Sequence, residues 1–347
     1  MLLNKLMVKF PIIQAPMAGV STPQLAAAVS NAGGLGMLGL GASNVEKALK
    51  MIEKTRSLTK KPFGVNLFCH KPAVRNKACE ERWLNHLKPL FEAVGAKTPS
   101  EIKEIYRSFL KNPEMLEMLL KVRPAVVSFH FGIPPPETVK QLHDAGIYTM
   151  ATATNLTEAL EIEKSDIDAI VAQGFEAGGH RGVFDPDGLD EQLSTMVLLR
   201  LLLNATKLPI IAAGGIMDGY TARGMLDAGA SAAQLGTAYI LCHESAADDG
   251  YRDDLKSPRC RSTRMTAALS GRPARGITNR LITYTSKSQS LRPADYPIAY
   301  DAEKQLHAAE KPGKYEYAAH WAGQGAPLAR EIPASELTVL IAKEMGM

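Results

Sequence analysis

Disulfide-grade cysteine, long apolar runs and strong net charge are all missing from this chain, and each absence removes a class of protein. Four cysteines, Cys69, Cys79, Cys242 and Cys260, show neither C-x-x-C spacing nor the density of a secreted disulfide scaffold. Reduced, mostly buried thiols are expected. Nowhere do about 18 apolar residues run together, and Lys5 and Lys9 precede any apolar stretch of signal-peptide length. The expectation is a soluble cytoplasmic protein with no membrane partner. The formal net charge is only +4 over 347 residues, although Arg252 to Arg292 holds ten Lys or Arg against Asp253 and Asp254. That segment has no periodic basic stripe and little aromatic interleaving, so an anion-facing or solvated surface is expected there rather than nucleic acid. Short repeats and low-complexity tracts are absent as well.

What is present is enough apolar material for a large core, at 46% hydrophobic and 22% charged residues. Short apolar, often β-branched runs alternate with helical patterns, the sequence form of repeated βα units and a parallel sheet. Candidate strands cover Pro11 to Pro16, Gly36 to Leu40, Phe63 to Phe68, Ala125 to Phe131, Ile147 to Ala153, Ala169 to Gln173, Pro209 to Ala213 and Ala232 to Leu235. Helices fit between them at Pro23 to Asn31, Val45 to Thr55, Pro136 to Ala145, Leu156 to Lys164, Asp190 to Asn204 and Gly219 to Ala228. The pattern predicts an α/β fold, a (β/α)8 TIM barrel over residues 1–243. The stretch 69–123 is too long for one crossover and is expected to be a helical insertion over the catalytic end, with apolar periods at Leu84, Leu87, Leu90 and Phe91 and from Ile105 to Leu120. Residues 244–347 are expected to form a mostly helical C-terminal cap on the barrel mouth.

In such barrels the active site lies at the C-terminal ends of the strands, and phosphate often docks after strands seven and eight. Strand seven runs into Gly214-Gly215, and strand eight into Gln234-Leu235-Gly236-Thr237. Glycines let backbone N–H groups approach a phosphate, and Thr237 adds a hydroxyl donor, so a phosphate-bearing cofactor is expected there. Strand six ends in the run Gln173 to Gly182, where Gly178, Gly179 and Gly182 surround His180 with no hydrophobic period, which suits a side chain presented to a ligand. His130 ends strand four at the same face. Asn66, near the end of strand three, offers an amide to a cofactor's polar edge. The run Gly34-Leu35-Gly36-Met37-Leu38-Gly39 matches the G-x-G-x-x-G dinucleotide pattern. It follows a helix and enters a strand, the reverse of a dinucleotide site, and reads as a helix C-cap followed by strand two. In the cap, Tyr296, Tyr300 and Lys304 are spaced to share one helical face, with Pro297 in a first turn; they and Tyr106 are candidates for the substrate pocket.

Taken together, Ala15-Pro16-Met17, Ala32-Gly33-Gly34-Leu35-Gly36, Gly64-Val65-Asn66, His130-Phe131-Gly132, Gln173 to Gly182, Ala213-Gly214-Gly215 and Gln234 to Thr237 resemble the nitronate monooxygenase family, once called 2-nitropropane dioxygenases, along nearly the whole chain. The His180 loop and Trp321-Ala322-Gly323-Gln324-Gly325 resemble its nitronate-oxidising branch rather than the quinone reductase branch. The resemblance implies an FMN-binding barrel, with Met17, Asn66, Gln173, Gly178 and Gly179 near the ring or ribityl chain and Gly214, Gly215, Gln234, Leu235, Gly236 and Thr237 around the phosphate. It implies His180 as the catalytic histidine, with His130 beside the substrate. The implied reaction takes an alkyl nitronate and O2 to an aldehyde or ketone plus nitrite by one-electron chemistry at the flavin, with propionate 3-nitronate and neutral nitroalkanes as candidate substrates. Two rivals stand beside it: an NAD(P)H-dependent flavin reductase of the same fold, and a non-catalytic barrel that binds a phosphate ligand.

Overall fold

The computed structural model describes residues 2–287 and 291–347. Eight parallel strands, Ile12–Gln14, Gly36–Gly39, Phe63–Phe68, Val126–His130, Tyr148–Ala153, Ala169–Gln173, Ile210–Ala213 and Ala232–Leu235, lie in sequential order around one sheet. The first strand pairs with the eighth, and a parallel bridge from Ile13 to Leu35 joins it to the second, so the sheet closes as a barrel. The period of two along each strand sorts the side chains. Ile13, Met37, Val126, Met150, Val171 and Ile211 fill the interior, while neighbours such as Ile12, Leu38, Val127 and Ile170 pack outward against the helices. Leu6, from the N-terminal helix Leu2–Leu6, joins the interior cluster.

Strands were legible to within a residue or two at each end, and the glycine decoy resolves as expected. A Cβ on Gly36 would lie 1.9 Å from the Ala26 carbonyl oxygen, so glycine is required where strand two passes the helix Pro23–Asn31. No helix among the described residues is long and apolar enough to cross a membrane.

Two expectations change and one is extended. In the insertion, the helix Lys77–Ala93 forms as expected, but the period from Ile105 is interrupted; helix resumes only at Pro113–Val122, and that segment packs beside the helix Val45–Leu58 as the barrel's own third helix. The cap's regular structure is mainly helical, as expected, but it also holds strands: Thr263–Thr266 and Ala274–Ile277 form an antiparallel hairpin, and the latter pairs with Gly179–His180. The cap also ends early. The helix Ala334–Glu344 sits between Pro23–Asn31 and Gly219–Asp227, with Leu337 and Ile341 in the barrel's core and the Glu344 carboxylate accepting the Gly219 N–H at 2.7 Å. It is the barrel's eighth helix, separated from strand eight by the inserted cap.

Insertion and cap share a second core. Trp83, Leu87 and Phe91 of the helix Lys77–Ala93 pack with Leu281, Ile298 and Leu306 of the cap. The basic run 252–292 divides: Lys256, Arg261, Arg264, Arg280, Lys287 and Arg292 are exposed, as a solvated surface requires, while Arg252 donates to the carbonyls of Leu241 and Cys242 and buried Arg275 to that of Phe175.

Candidate active site

A cavity of about 590 Å³ opens at the C-terminal ends of the barrel strands, within the range of small-molecule sites. His180, His130, Met17, Asn66, Gln173, Gly178, Gly179, Gly214, Gly215, Gln234, Gly236, Thr237, Tyr106, Tyr296, Tyr300 and Lys304 all line it. Leu235 does not. Its side chain is fully buried among the barrel helices, as the alternation along strand eight requires, and its carbonyl accepts the Ala15 N–H at 2.8 Å.

The end formed by strands seven and eight is a cradle of unspent donors. Gly214 and Gly215 take φ of +122° and +69°, where glycine is favoured. The N–H groups of Gly215, Gly236 and Thr237 find no acceptor among the described residues. Thr237 Oγ1 accepts the Gly323 N–H at 3.0 Å, so its own proton remains to donate. Gly236 has an ordinary φ of −105°, and a Cβ there would touch only Ala15 Cβ at 3.4 Å and Met17 Sδ at 3.8 Å. The fold itself does not need glycine at this position. The nearby Glu176 carboxylate is turned to the Thr195 N–H and hydroxyl at 3.0–3.1 Å. Backbone N–H groups with a hydroxyl and no facing carboxylate fit a phosphate.

Along the cavity floor, the Asn66 amide donates to Ser128 Oγ at 2.9 Å and to the Ser128 carbonyl at 3.2 Å, which leaves Oδ1 as an acceptor facing the space. Gln173 is committed differently from the expectation of a cofactor ligand. Its Nε2 donates to the His180 carbonyl at 3.0 Å and its Oε1 accepts the Gly182 N–H at 2.7 Å, so its amide first of all pins the His180 loop. Arg181 turns away, buried and paired with Asp190 at 2.9 Å.

The histidines form one cluster. His130 Nε2 lies 3.1 Å from the His180 carbonyl, which can only accept, so Nε2 carries the proton and Nδ1 takes the Thr152 hydroxyl at 3.0 Å. Both ring nitrogens are thus engaged. His130 lines the cavity as expected, and a ring with two satisfied nitrogens must break a bond to offer one. His180 packs edge-on to Tyr296 and tilted against Trp321, with centroids 5.4 and 5.1 Å away. Burial first, then His130 and Arg272, hold its imidazole down at about 3; burial and Arg272 likewise hold His130 at about 4, and His70 behind them at about 4. Arg272 is 3% exposed, with its guanidinium carbon 4.3 Å from the Phe131 ring centroid. The cluster is therefore neutral imidazole beside a buried cation at ordinary pH.

Tyr300 and Lys304 lie on the helix Ile298–Ala308 and face the cavity; Tyr296 does so from just before that helix, which Pro297 caps rather than entering its first turn. The Tyr106 ring meets Tyr300 edge-on at 5.9 Å, and Lys304 Nζ lies 4.7 Å from the Tyr300 ring centroid. Trp321 Nε1 donates to the Tyr300 hydroxyl at 3.2 Å. The Gln324 N–H bonds the Glu176 carbonyl at 2.9 Å, so the Trp321–Gly325 run clasps the loops after strands six and eight together.

Sequence reasoning missed the hairpin that carries Ser270 and Arg272. The signal was present as Thr263-Arg264-Met265-Thr266, a Ser270-Gly271 turn and Ala274-Arg275-Gly276-Ile277.

The sequence profile of the nitronate monooxygenase family matches residues 1–344. The chain is 54% identical to a nitronate monooxygenase of Paraburkholderia phytofirmans over 96% of its length and 92% of the relative's. It is 52% identical to one of Pseudomonas aeruginosa over 96% of both chains. Among solved structures it is similar to a nitroalkane oxidase from Streptomyces ansochromogenes, with a TM-score of 0.92, 38% identity and coverage of 99% of this chain and 97% of that one. The chain belongs to the nitronate monooxygenase family.

Proposed function

We propose that this protein is a flavin-dependent nitronate monooxygenase that converts alkyl nitronates and O2 to carbonyl compounds and nitrite, and that its flavin is FMN. The observation that carries the reading is one continuous cavity joining the empty-handed N–H cradle of Gly215, Gly236 and Thr237 to the His180 cluster. A single phosphate cradle matches a mononucleotide. Its N–H groups and the Thr237 hydroxyl would hold the phosphate, and Asn66 Oδ1 would accept from the cofactor. Gly179, whose added Cβ would meet nothing within 4 Å, leaves room for its bulk, whereas Gly178 is glycine because Gly323 N would lie 2.4 Å from a Cβ there. Bound flavin supplies the electron transfer between nitronate and oxygen.

The residues of the chain do the remainder. His180, kept neutral and with Nδ1 open to the cavity, accepts an α-proton when a neutral nitroalkane arrives. Buried Arg272 supplies positive potential to an anionic nitronate without itself being reached by water. Tyr106, Tyr296, Tyr300 and Trp321 wall the pocket and exclude solvent, and Lys304 at the rim attracts an anion.

Purified protein should be yellow, release FMN on heating as judged by mass, and yield nitrite with oxygen uptake from ethyl nitronate. Anaerobic mixing with NADH or NADPH should leave the flavin oxidised. Rapid bleaching would replace this reading with a reductase, and a colourless protein that takes up no flavin would replace it with a binding barrel.

A further inference from the structure

The His180 ring is bonded at one nitrogen only. Its Nε2 lies 2.9 Å from Ser270 Oγ, while Nδ1 finds no protein partner among the described residues and is left to the cavity. What Ser270 can offer is restricted by its own turn. The hydroxyl donates to the Arg272 carbonyl at 3.1 Å and accepts the Arg272 N–H at 3.3 Å. If the proton went to His180 instead, a buried carbonyl would lose the partner found for it, which is disfavoured in a site as dry as this; Ser270 is 0% exposed and Arg272 3%. The oxygen therefore keeps acceptor capacity alone for the imidazole.

The turn has no freedom to change this. A Cβ at Gly271 would lie 2.5 Å from the Ala294 carbonyl oxygen and 2.7 Å from the Tyr296 nitrogen, so the hairpin tip is pressed against the segment that carries Tyr296. From the other side, Ala274 pairs with His180 in the three-stranded sheet, and the Arg181 N–H bonds the Pro273 carbonyl at 2.8 Å. The backbone and ring of His180 are thus both held by residues 270–274.

We propose that Ser270 is the positioning residue that fixes the tautomer of His180, placing the proton on Nε2 and presenting a bare Nδ1 to the substrate. The inference rests on the nitronate monooxygenase reading for its substrate, but the tautomer is a property of the protein. With a neutral nitroalkane, the Nδ1 lone pair takes the α-proton. The C–H electron pair becomes the C=N bond of the nitronate as negative charge moves onto the nitro oxygens, and the imidazolium keeps Nε2–H on Ser270. A nitronate arrives without that proton and needs no such transfer. The charged and titratable groups that face the ring are Arg272 from the same turn, His130 from strand four, His70 after strand three, and Tyr296 and Tyr300 from the cap. The tautomer matters because these neighbours keep the ring neutral, and a neutral ring has only one basic nitrogen.

The test uses the flavin-loaded protein with ¹⁵N-histidine, the His180 signals being those lost in His180→Asn. In the wild type near neutral pH, Nε2 should show the protonated and Nδ1 the bare-nitrogen signature; the opposite assignment overturns the proposal whatever the activity. Ser270→Ala should give a mixed tautomer signal and lower kcat/KM for nitroethane by about 10-fold, the scale of one lost hydrogen bond at a general base, with kcat/KM for ethyl nitronate changed by less than about threefold. Ser270→Thr, which keeps the hydroxyl, should restore the wild-type ring signature. Equal losses on both substrates with an unchanged ring signature would mean that Ser270 serves only the hairpin's packing, and overturn it. Failure of the wild type to make nitrite from ethyl nitronate would sink the functional reading and leave the tautomer result standing by itself.

Discussion

Gly236→Asp should strip the cofactor while sparing the fold, and the structure says why this position separates the two better than its neighbours. At Gly214 and Gly215 the backbone itself calls for glycine, with φ of +122° and +69°, so any substitution there mixes strain with lost binding. Gly236 has φ −105°, and its added Cβ meets nothing closer than 3.4 Å. Replacing glycine where the backbone is compatible costs little and can stabilise by ~0.4 to 1 kcal/mol through the unfolded chain. The carboxylate, in contrast, would stand in the cradle. A phosphate monoester carries roughly −1.5 to −2 charge, and two unit charges ~4 Å apart interact by ~1 to 4 kcal/mol between full hydration and near-surface screening. Repulsion of about 2 kcal/mol is then the low end, or a rise in Kd of about 30-fold. Titration of flavin-free protein with FMN, followed by fluorescence quenching, reads Kd, and thermal unfolding of the flavin-free form reads the fold. Gly236→Ala, with bulk but no charge, should fall between the wild type and the aspartate. A Gly236→Asp protein that binds FMN within about threefold of the wild type would show that the phosphate does not sit against these N–H groups.

Lys304→Met should raise KM for propionate 3-nitronate more than for ethyl nitronate, because only the former carries a second charge for the ammonium to attract, and the difference should shrink with added salt. Parallel changes on both substrates would assign Lys304 to the nitronate group itself or to packing against Tyr300. His180→Asn should impair nitroethane far more than ethyl nitronate, measured by oxygen uptake; no loss on either would remove His180 from the chemistry. His70, His130 and His180 are held at about 4, 4 and 3, below the ordinary value of 6.5, so between those values and 6.5 the unfolded chain binds more protons than the folded one. Stability should therefore fall as pH drops from about 6.5 towards 4, by up to ~1.4 kcal/mol per pH unit for each histidine. Denaturant unfolding of the flavin-free protein across this window should show the slope, and His70→Leu should reduce it by about one proton; a flat profile would contradict the burial argument.

The barrel was legible because its signals are local. Eight short apolar runs, each followed by a helical period, specify parallel strands, and the alternation that sends Ile170 outward and Val171 inward is written in consecutive residues. That Gly214, Gly215 and Gly236 line the cavity was legible for the same reason: they stand at the C-terminal ends of strands seven and eight. Legibility failed where a residue's job is assigned by a partner far along the chain. Gln173 reads as a free amide at a strand's end until the Gly182 N–H and the His180 carbonyl close around it. Arg181, a cation next to His180 in the sequence, is likewise placed by a partner: Asp190 takes it inside.

The cap shows the stronger form of the same limit. The interval between strand eight and the helix Ala334–Glu344 is an insertion, so nothing local to residues 263–277 marks them as neighbours of His180. Yet the strand Ala274–Ile277 adds itself to the two residues Gly179–His180, and that pairing sets the backbone of His180. A two-residue strand cannot stand alone in water; its order comes from the hairpin it joins. The glycines around His180, which in the sequence signal freedom to present a side chain, leave the loop dependent on residues about 90 positions later for its conformation. The placement of His180 after strand six is thus conditional on the cap being folded. Trp321 makes the same point from a third segment, packing on the His180 ring while Gly323, two residues on, bonds Thr237 at the other end of the cavity. The two ends of the cavity are consequently not independent: one short run of the cap closes on the histidine and on the phosphate loop at once, so a change that loosens Trp321–Gly325 should disturb cofactor affinity and proton transfer together, whereas a change at Ser270 should reach only the second.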